Sequence, residues 1–482
     1  MEQQAGIMIE AYVIEKIDKI LHTKDKNMFQ KERQLLELMY HLFATLLRMW
    51  ISAYDRKQSA VMRSEGYTEV KEVERTVTFL FGTITFSRKR WIKGKETIYP
   101  VDCILGVDRY SRYSNGITVT LARMAKFSTY RAVAEITGLL APLNISKDTV
   151  KVSVHKVGES IKRFEMYELE NAYLSEGTKE VEKLVIEADG IMVKSRFSEG
   201  GKEMLHVLVH EGKKSPERGA GLVEPREFIG ENKGEVKRLA QAYIYKTYRL
   251  KNTIVISNSD NGPGVKENFF KEFAVGAKQH FHVLDEYHWN KKIMDRMSFC
   301  DELMPKMRSA VYQHSTKGRN VILDTMESIA VNDQHLENTE KLRRYLRRNW
   351  KYLQPLNWRL KELGVSFKKS DLALGAIESN HKKITYREKK RGMYWGAGAE
   401  HLAKIIIGDK QGILEQAYEH VWQRIIKKKE EQSTDYLLVS DEAEKKAIKT
   451  KYAGKTHKVA LDRDSERERQ ELARLFSYGY PQ

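Results

Sequence analysis

Three acids stand at positions where an acid is costly or conspicuous. Asp189 follows the apolar run Leu184-Val185-Ile186 in the segment Glu187-Ala188-Asp189-Gly190. Asp260 ends a second apolar run, in Ser257-Asn258-Ser259-Asp260-Asn261-Gly262, and Glu378 lies in the helix-forming segment Gly375-Ala376-Ile377-Glu378-Ser379-Asn380. A buried carboxylate needs a partner. Three carboxylates brought together repel one another unless a divalent cation compensates, and their hard oxygens suit Mg2+ or Mn2+. Two such ions about 3.5–4 Å apart would activate an attacking oxygen and stabilise a leaving one in phosphoryl transfer. Each acid also has a plainer reading: Asp189-Gly190 as a hairpin turn, Asp260 as a turn former, Glu378 as a surface acid.

Other residues could serve the same chemistry. Lys382, Thr385 and Lys389 follow Glu378 on one helical face, where basic groups would hold a nucleic-acid backbone. Glu388, in the charged run Arg387-Glu388-Lys389-Lys390-Arg391, is a weaker candidate for the third acid. Asp285 and His288 fall one helical turn apart, as an auxiliary acid/base pair or as a structural contact. A zinc site from His280, His282 and His288 is disfavoured without nearby cysteines. Trp395 either stacks on an unpaired base or sits in the core.

These groups need elements to position them. Residues 1–60 read as a helical hairpin, apolar over more than one face, that packs either within the chain or against a second copy. Residues 61–110 alternate as a β-hairpin around Gly82-Thr83. Its second arm carries Arg88, Lys89 and Arg90, either to lie along DNA or to protect a strand edge. Residues 111–170 read as a helix-turn-helix, with Ser146 as N-cap and Lys147, Thr149 and Lys151 exposed for DNA. From 181 to 295 strands and helices alternate in the order expected of a ribonuclease-H-like core, with Asp189 ending the first strand and Asp260 the fourth. A charged helical insertion spans 296–370, the core resumes over 371–425, and 426–482 reads as a charged tail with one short terminal helix. The fold class expected is therefore an α/β ribonuclease-H-like catalytic core with a helical insertion, preceded by an α-helical, β-hairpin and helix-turn-helix DNA-binding region.

Bulk composition points the same way. The 482 residues carry 84 Lys and Arg against 66 Asp and Glu, a net charge of +18. That surplus favours a polyanionic partner, because neutralised phosphates release counterions. Two cysteines exclude a disulfide scaffold and suit a reducing cytoplasm. Acids within the apolar stretch at the start argue against a signal peptide, and no run approaches the ~20 apolar residues of a membrane span. A cytoplasmic, nucleoid-associated protein is expected.

Taken in order, the Glu187–Gly190 strand, Ser257–Gly262, Leu284–Ile293 and Gly375–Ile405, with the hairpin and helix-turn-helix upstream, resemble the insertion-sequence DDE transposases of the Lre type. The resemblance covers roughly residues 70–410. It implies a ribonuclease-H-like core that binds the terminal inverted repeats of its own element, cuts double-stranded DNA and joins it to a target, as a homodimer or larger. The family's catalytic and metal-holding acids fall on Asp189, Asp260 and Glu378, with two Mg2+ or Mn2+ ions. The family's second acid sits in a Gly-Asp-Gly-Ala type of turn, whereas here it sits in Ser-Asp-Asn-Gly-Pro-Gly-Val. A structure-selective nuclease of the same fold and a DNA-binding protein derived from an inactive transposase are the rival readings.

Overall fold

The computed structural model describes residues 2–435, except 109, 142, 175, 216, 218, 366, 367 and 390–392. The terminal helix expected beyond 435 lies outside the described residues.

Helices α1 (Glu2–Leu21) and α2 (Met28–Ser64) form the expected hairpin. Asn27 starts α2 through a capping box with Gln30, which satisfies two otherwise orphaned amides. Ile51 of α2 packs on Val77, Phe79, Ile84 and Phe86 from strands β1 (Thr68–Phe79) and β2 (Gly82–Lys93), whereas Met39, Phe43, Leu46 and Trp50 remain exposed. Phe79 pairs with Gly82, so the β1–β2 turn is Leu80-Phe81, two residues before the expected Gly82-Thr83. Gly82, at φ 130°, takes a backbone conformation that a side chain disfavours. Strand β3 (Glu96–Ile98) completes this sheet and leads into α3 (Pro100–Ile104).

Helices α4 (Asn115–Ala125), α5 (Tyr130–Leu140) and α6 (Lys147–Asn171) follow. Ser146 caps α6 by accepting the Thr149 amide at 3.1 Å. α6 runs for 25 residues and buries Val150, Val154, Val157, Ile161 and Phe164. These side chains share one apolar cluster with Ile191, Met204 and Ile229 of the sheet described next. The boundary read at residue 170 therefore crosses a continuous core, and the helical pair packs against the α/β unit. Gly158 allows this: a Cβ there would come within 2.4 Å of the His401 Cβ.

The second sheet has the order β6 (Arg226–Gly230), β5 (Lys202–His210), β4 (Lys183–Val193), β7 (Ile254–Ser259), β8 (Gln279–Leu284). β4, β5 and β6 are antiparallel neighbours, and β4, β7 and β8 run parallel. Alternation along β4 sends Leu184, Ile186 and Ala188 toward α7 (Lys233–Thr247) and α8 (Glu267–Lys271). Val185 and Ile191 face the opposite side. Glu187 and Asp189 belong to that opposite face by the same period.

After β8 come α9 (Glu286–Arg296), α10 (Met304–Tyr312), α11 (Thr316–Ser328), α12 (Asp333–Asn349) and α13 (Leu356–Lys361). Trp289, Ile293, Met307, Leu323, Met326, Leu342 and Leu346 give this helical insertion a core of its own. The chain then returns through α14 (Ala376–Glu388), α15 (Ala399–Lys410) and α16 (Leu414–Asp435). α16 carries helix past the boundary read at 425. Among the described residues no helix is long and apolar enough to cross a membrane.

Candidate functional site

Asp189 lies inside β4 rather than at its end. The antiparallel partner continues beyond it, with Gly190 opposite Leu205 and Ile191 opposite Met204, because Ile191 and Val193 are apolar and buried. The parallel partner β7 leaves earlier, its pairing ending at Glu187 opposite Asn258. Asp189 is thus exposed on one side only, over the end of β7.

Helix α14 crosses that gap and brings Glu378. Oxygen and nitrogen atoms of Asp189, Glu378 and His288 lie within 4.8 Å of one another. Asp260 directly follows β7 and accepts the Gly262 amide at 2.7 Å, in a turn with Asn261 at φ 59°. Burial raises the Asp189 carboxyl to about 6, and the negative charges of Asp260 and Glu378 add to the effect. Asp260 thus stands near enough to be felt, although the closest trio has histidine as its third member.

His288 is fixed from below by the N-cap of its own helix. Asp285 Oδ1 accepts the His288 backbone amide at 3.0 Å and lies 2.9 Å from ring Nδ1. This contact with Asp285 raises the imidazole's proton affinity against the opposing effect of burial. Nε2 is left facing Glu378 Oε1 at 3.6 Å.

Two residues beside the site escaped the sequence reading. Glu187, fully buried, receives the amides of Gly375 (3.0 Å), Ala376 (3.3 Å) and Ile377 (2.8 Å) at the start of α14. The carboxylate satisfies three orphaned helix amides and sits at the positive end of the helix dipole. The second is His381, whose Nδ1 is 3.4 Å from Asp189 Oδ2. The signal available for Glu187 was an acid two residues before Asp189 on the same strand face; for His381 it was the i+3 spacing from Glu378.

The other candidates fall in three groups. Lys382 is exposed on α14 and Lys389 is exposed at its C-cap, Lys147 is exposed at the start of α6, and Lys151 is half-buried. Thr149 spends its hydroxyl near Ser146 and Tyr113. Arg88 is buried, donating to Asp102 at 2.7 Å and lying over the Tyr99 ring, so its charge is used inside the hairpin rather than on DNA. Lys89 reaches Ser59 and Glu69, and Arg90 is half-buried. Trp395 is core: its indole N–H donates to the Glu388 carbonyl at 2.9 Å, and it is 7% exposed, so it offers no face to a base.

Glu388 is fully buried, away from the trio. Desolvation raises its carboxyl well above the usual range, and neither oxygen has a hydrogen-bond partner among the described residues. His280 and His282 share Ser257 Oγ at 2.8 Å each, and burial lowers them to about 4 and about 3, while His288 belongs to the acidic site. The three histidines do not gather. Beside the site, a cavity of about 480 Å3 is bordered by Asn258, Asp285, Trp289, Tyr312, Tyr352 and Trp358.

Residues 21–424 match the family described as "Uncharacterised protein family (UPF0236)", and the chain belongs to that family. A protein of Streptococcus gallolyticus described as "UPF0236 protein in vanSb 3'region" is 28% identical over 411 residues, covering 84% of this chain and 88% of its own length.

Proposed function

We propose that this UPF0236 protein is a metal-dependent DNA transposase with a ribonuclease-H-like core. The observation that carries the reading is the convergence of Asp189, Glu378 and His288 where the β4–β7 parallel pairing ends; Asp260, just after β7, lies outside that trio. A sheet of three antiparallel and two parallel strands, β4 central, supports the fold assignment. The net charge of +18 supports a nucleic-acid partner.

The donor set fits a hard divalent cation: carboxylates from a strand, a strand end and a helix, with one imidazole. Asp189, Asp260 and Glu378 would hold Mg2+ or Mn2+, and two bound ions would supply Lewis acidity to the attacking and leaving oxygens of a phosphodiester. His288 presents Nε2 to the same space, with Nδ1 held by Asp285, and suits proton transfer to or from a reacting oxygen. Lys382 and Lys389 would contact phosphates, positioning DNA without reading its sequence. The β1–β2 hairpin, through surface other than the buried Arg88, and the α5–α6 pair would bind the terminal inverted repeats, and synapsis of two ends calls for a dimer or larger.

Cleavage of supercoiled plasmid carrying the gene's own flanking DNA, with Mg2+ or Mn2+, tests this. Nicking at the flanks, lost in Asp189→Ala, Asp260→Ala and Glu378→Ala, is expected, together with joining to a second plasmid. Cutting without joining would favour a structure-selective nuclease. Binding without cutting would favour a DNA-binding protein derived from an inactive transposase.

A further inference from the structure

The Asp189 carboxylate is approached from two directions. Oδ1 accepts the Gly190 amide at 2.7 Å, and Oδ2 faces His381 Nδ1 at 3.4 Å. His381 follows Glu378 by three residues on α14, so one helix delivers both an acid and a group that can orient the strand's acid.

The imidazole is itself held from behind. His381 is 7% exposed, and its ring lies against that of His206, 5.0 Å between centroids. His206 Nε2 is 3.2 Å from Glu227 Oε2, and Glu227 pairs with Lys410 of α15. Lys410 also donates to Asn380 Oδ1 at 2.8 Å, next to His381 in sequence. A row of polar side chains thus runs from the sheet's outer strand to Asp189, its link between His206 and His381 a ring contact.

We propose that His381 is a positioning residue for Asp189. An Nδ1–H standing 3.4 Å from Oδ2 would hold that oxygen electrostatically, so that the remaining lone pairs of the carboxylate are left for the space shared with Glu378 and His288. The inference rests on the reading of Asp189 and Glu378 as cation ligands. An ionised carboxylate only accepts hydrogen bonds, so the nitrogen facing it carries the hydrogen. Nε2 has no hydrogen-bond partner among the described residues, as suits the bare nitrogen of that tautomer better than an N–H. Partners that orient a metal-binding group typically change metal affinity by about 10–100-fold.

Asparagine and glutamine separate orientation from packing, because an Asn carboxamide reaches the place of Nδ1 whereas Gln reaches that of Nε2. Mn2+ binding to the full chain would be followed by calorimetry in wild type, His381→Asn and His381→Gln, alongside their melting temperatures. The expected result is Mn2+ affinity kept within about threefold by His381→Asn and lost by about 10–100-fold in His381→Gln. Equal loss in both, in step with their melting temperatures, would reduce His381 to a packing residue. Nitrogen-15 spectra of the wild-type histidine rings add a readout free of any substitution: a hydrogen on Nε2 rather than Nδ1 overturns the proposal. Should wild type bind no Mn2+, or Asp189→Asn bind it unchanged, the cation reading itself fails and takes this inference with it.

Discussion

The carboxylate of Glu187 on β4 accepts the amide of Ile377 at the start of α14 at 2.8 Å, across 190 residues of sequence. Two further amides, from Gly375 and Ala376, share the same carboxylate. Glu187 therefore fixes the first turn of the helix that presents Glu378. Glu187→Gln puts an amide donor where an acceptor is needed. It is expected to cost about 2–3 kcal/mol in chemical denaturation, within the range for hydrogen bonds to a charged group. On the transposase reading proposed above, DNA cleavage should fall with it, because Glu378 loses the support of its helix.

The pH dependence of metal-free protein provides a second test. Asp189 is raised to about 6 in the fold from an ordinary 3.8, so the fold prefers its protonated form. That contribution is fully present below about pH 4 and is lost as pH rises through about 6. In excess chelator, stability should fall across this window by up to about 3 kcal/mol. Asp189→Asn should flatten the profile and melt higher than wild type at pH 7. A wild-type profile that is flat between pH 4 and 6 would contradict the burial of Asp189 described above.

Glu388 makes the same argument without any cation. Its buried carboxyl lacks a hydrogen-bond partner among the described residues, and its proton affinity is raised by desolvation. The folded protein loses stability as pH climbs above the ordinary carboxyl range. Glu388→Gln removes the ionisation at nearly constant volume, and a gain of about 1–3 kcal/mol at pH 7, shrinking toward pH 4, is expected from thermal melts.

Asp102 sits between two buried guanidiniums, Arg75 at 2.5 Å and Arg88 at 2.7 Å. Asp102→Asn leaves two cations with no charge to answer them. A loss of about 3–5 kcal/mol is expected, read as early melting or proteolysis of the β1–β2 region.

Lys382 and Lys389 should behave in the opposite way, with little effect on folding. Each contact with phosphate contributes about 0.9 to the slope of log affinity against log salt. Replacing both by alanine should lower that slope by about 2, uniformly across DNA sequences, in fluorescence anisotropy titrations. An unchanged slope would remove α14 from the DNA path.

Much of this architecture was readable from local pattern. The apolar runs of β4 and β7 and the acids following them were visible because burial and charge alternate abruptly there. Ser146 was legible as a cap because its bond to Thr149 spans three residues. Arg88 and Trp395 misled because their partners, Asp102 and the Glu388 carbonyl, are set by folding rather than by spacing. The long reach of α6 into the sheet's core was hidden by its polar composition, and the apolar cluster it shares with Ile191, Met204 and Ile229 exposes it. Glu187 and His381 act through elements far away in sequence, which no local periodicity records.

The insertion that separates β8 from α14 has a consequence for synthesis. With its own apolar cluster it can collapse early, whereas the bond from Gly375 to Glu187 closes a loop of 188 residues. Closing so long a loop slows folding, although its entropic cost grows only with the logarithm of length. A chain still on the ribosome, or one cut short before α14, holds Asp189 and Asp260 but neither Glu378 nor the helix that aligns it. The acidic trio would then be completed in a single late step, after the sheet and the insertion have already been made.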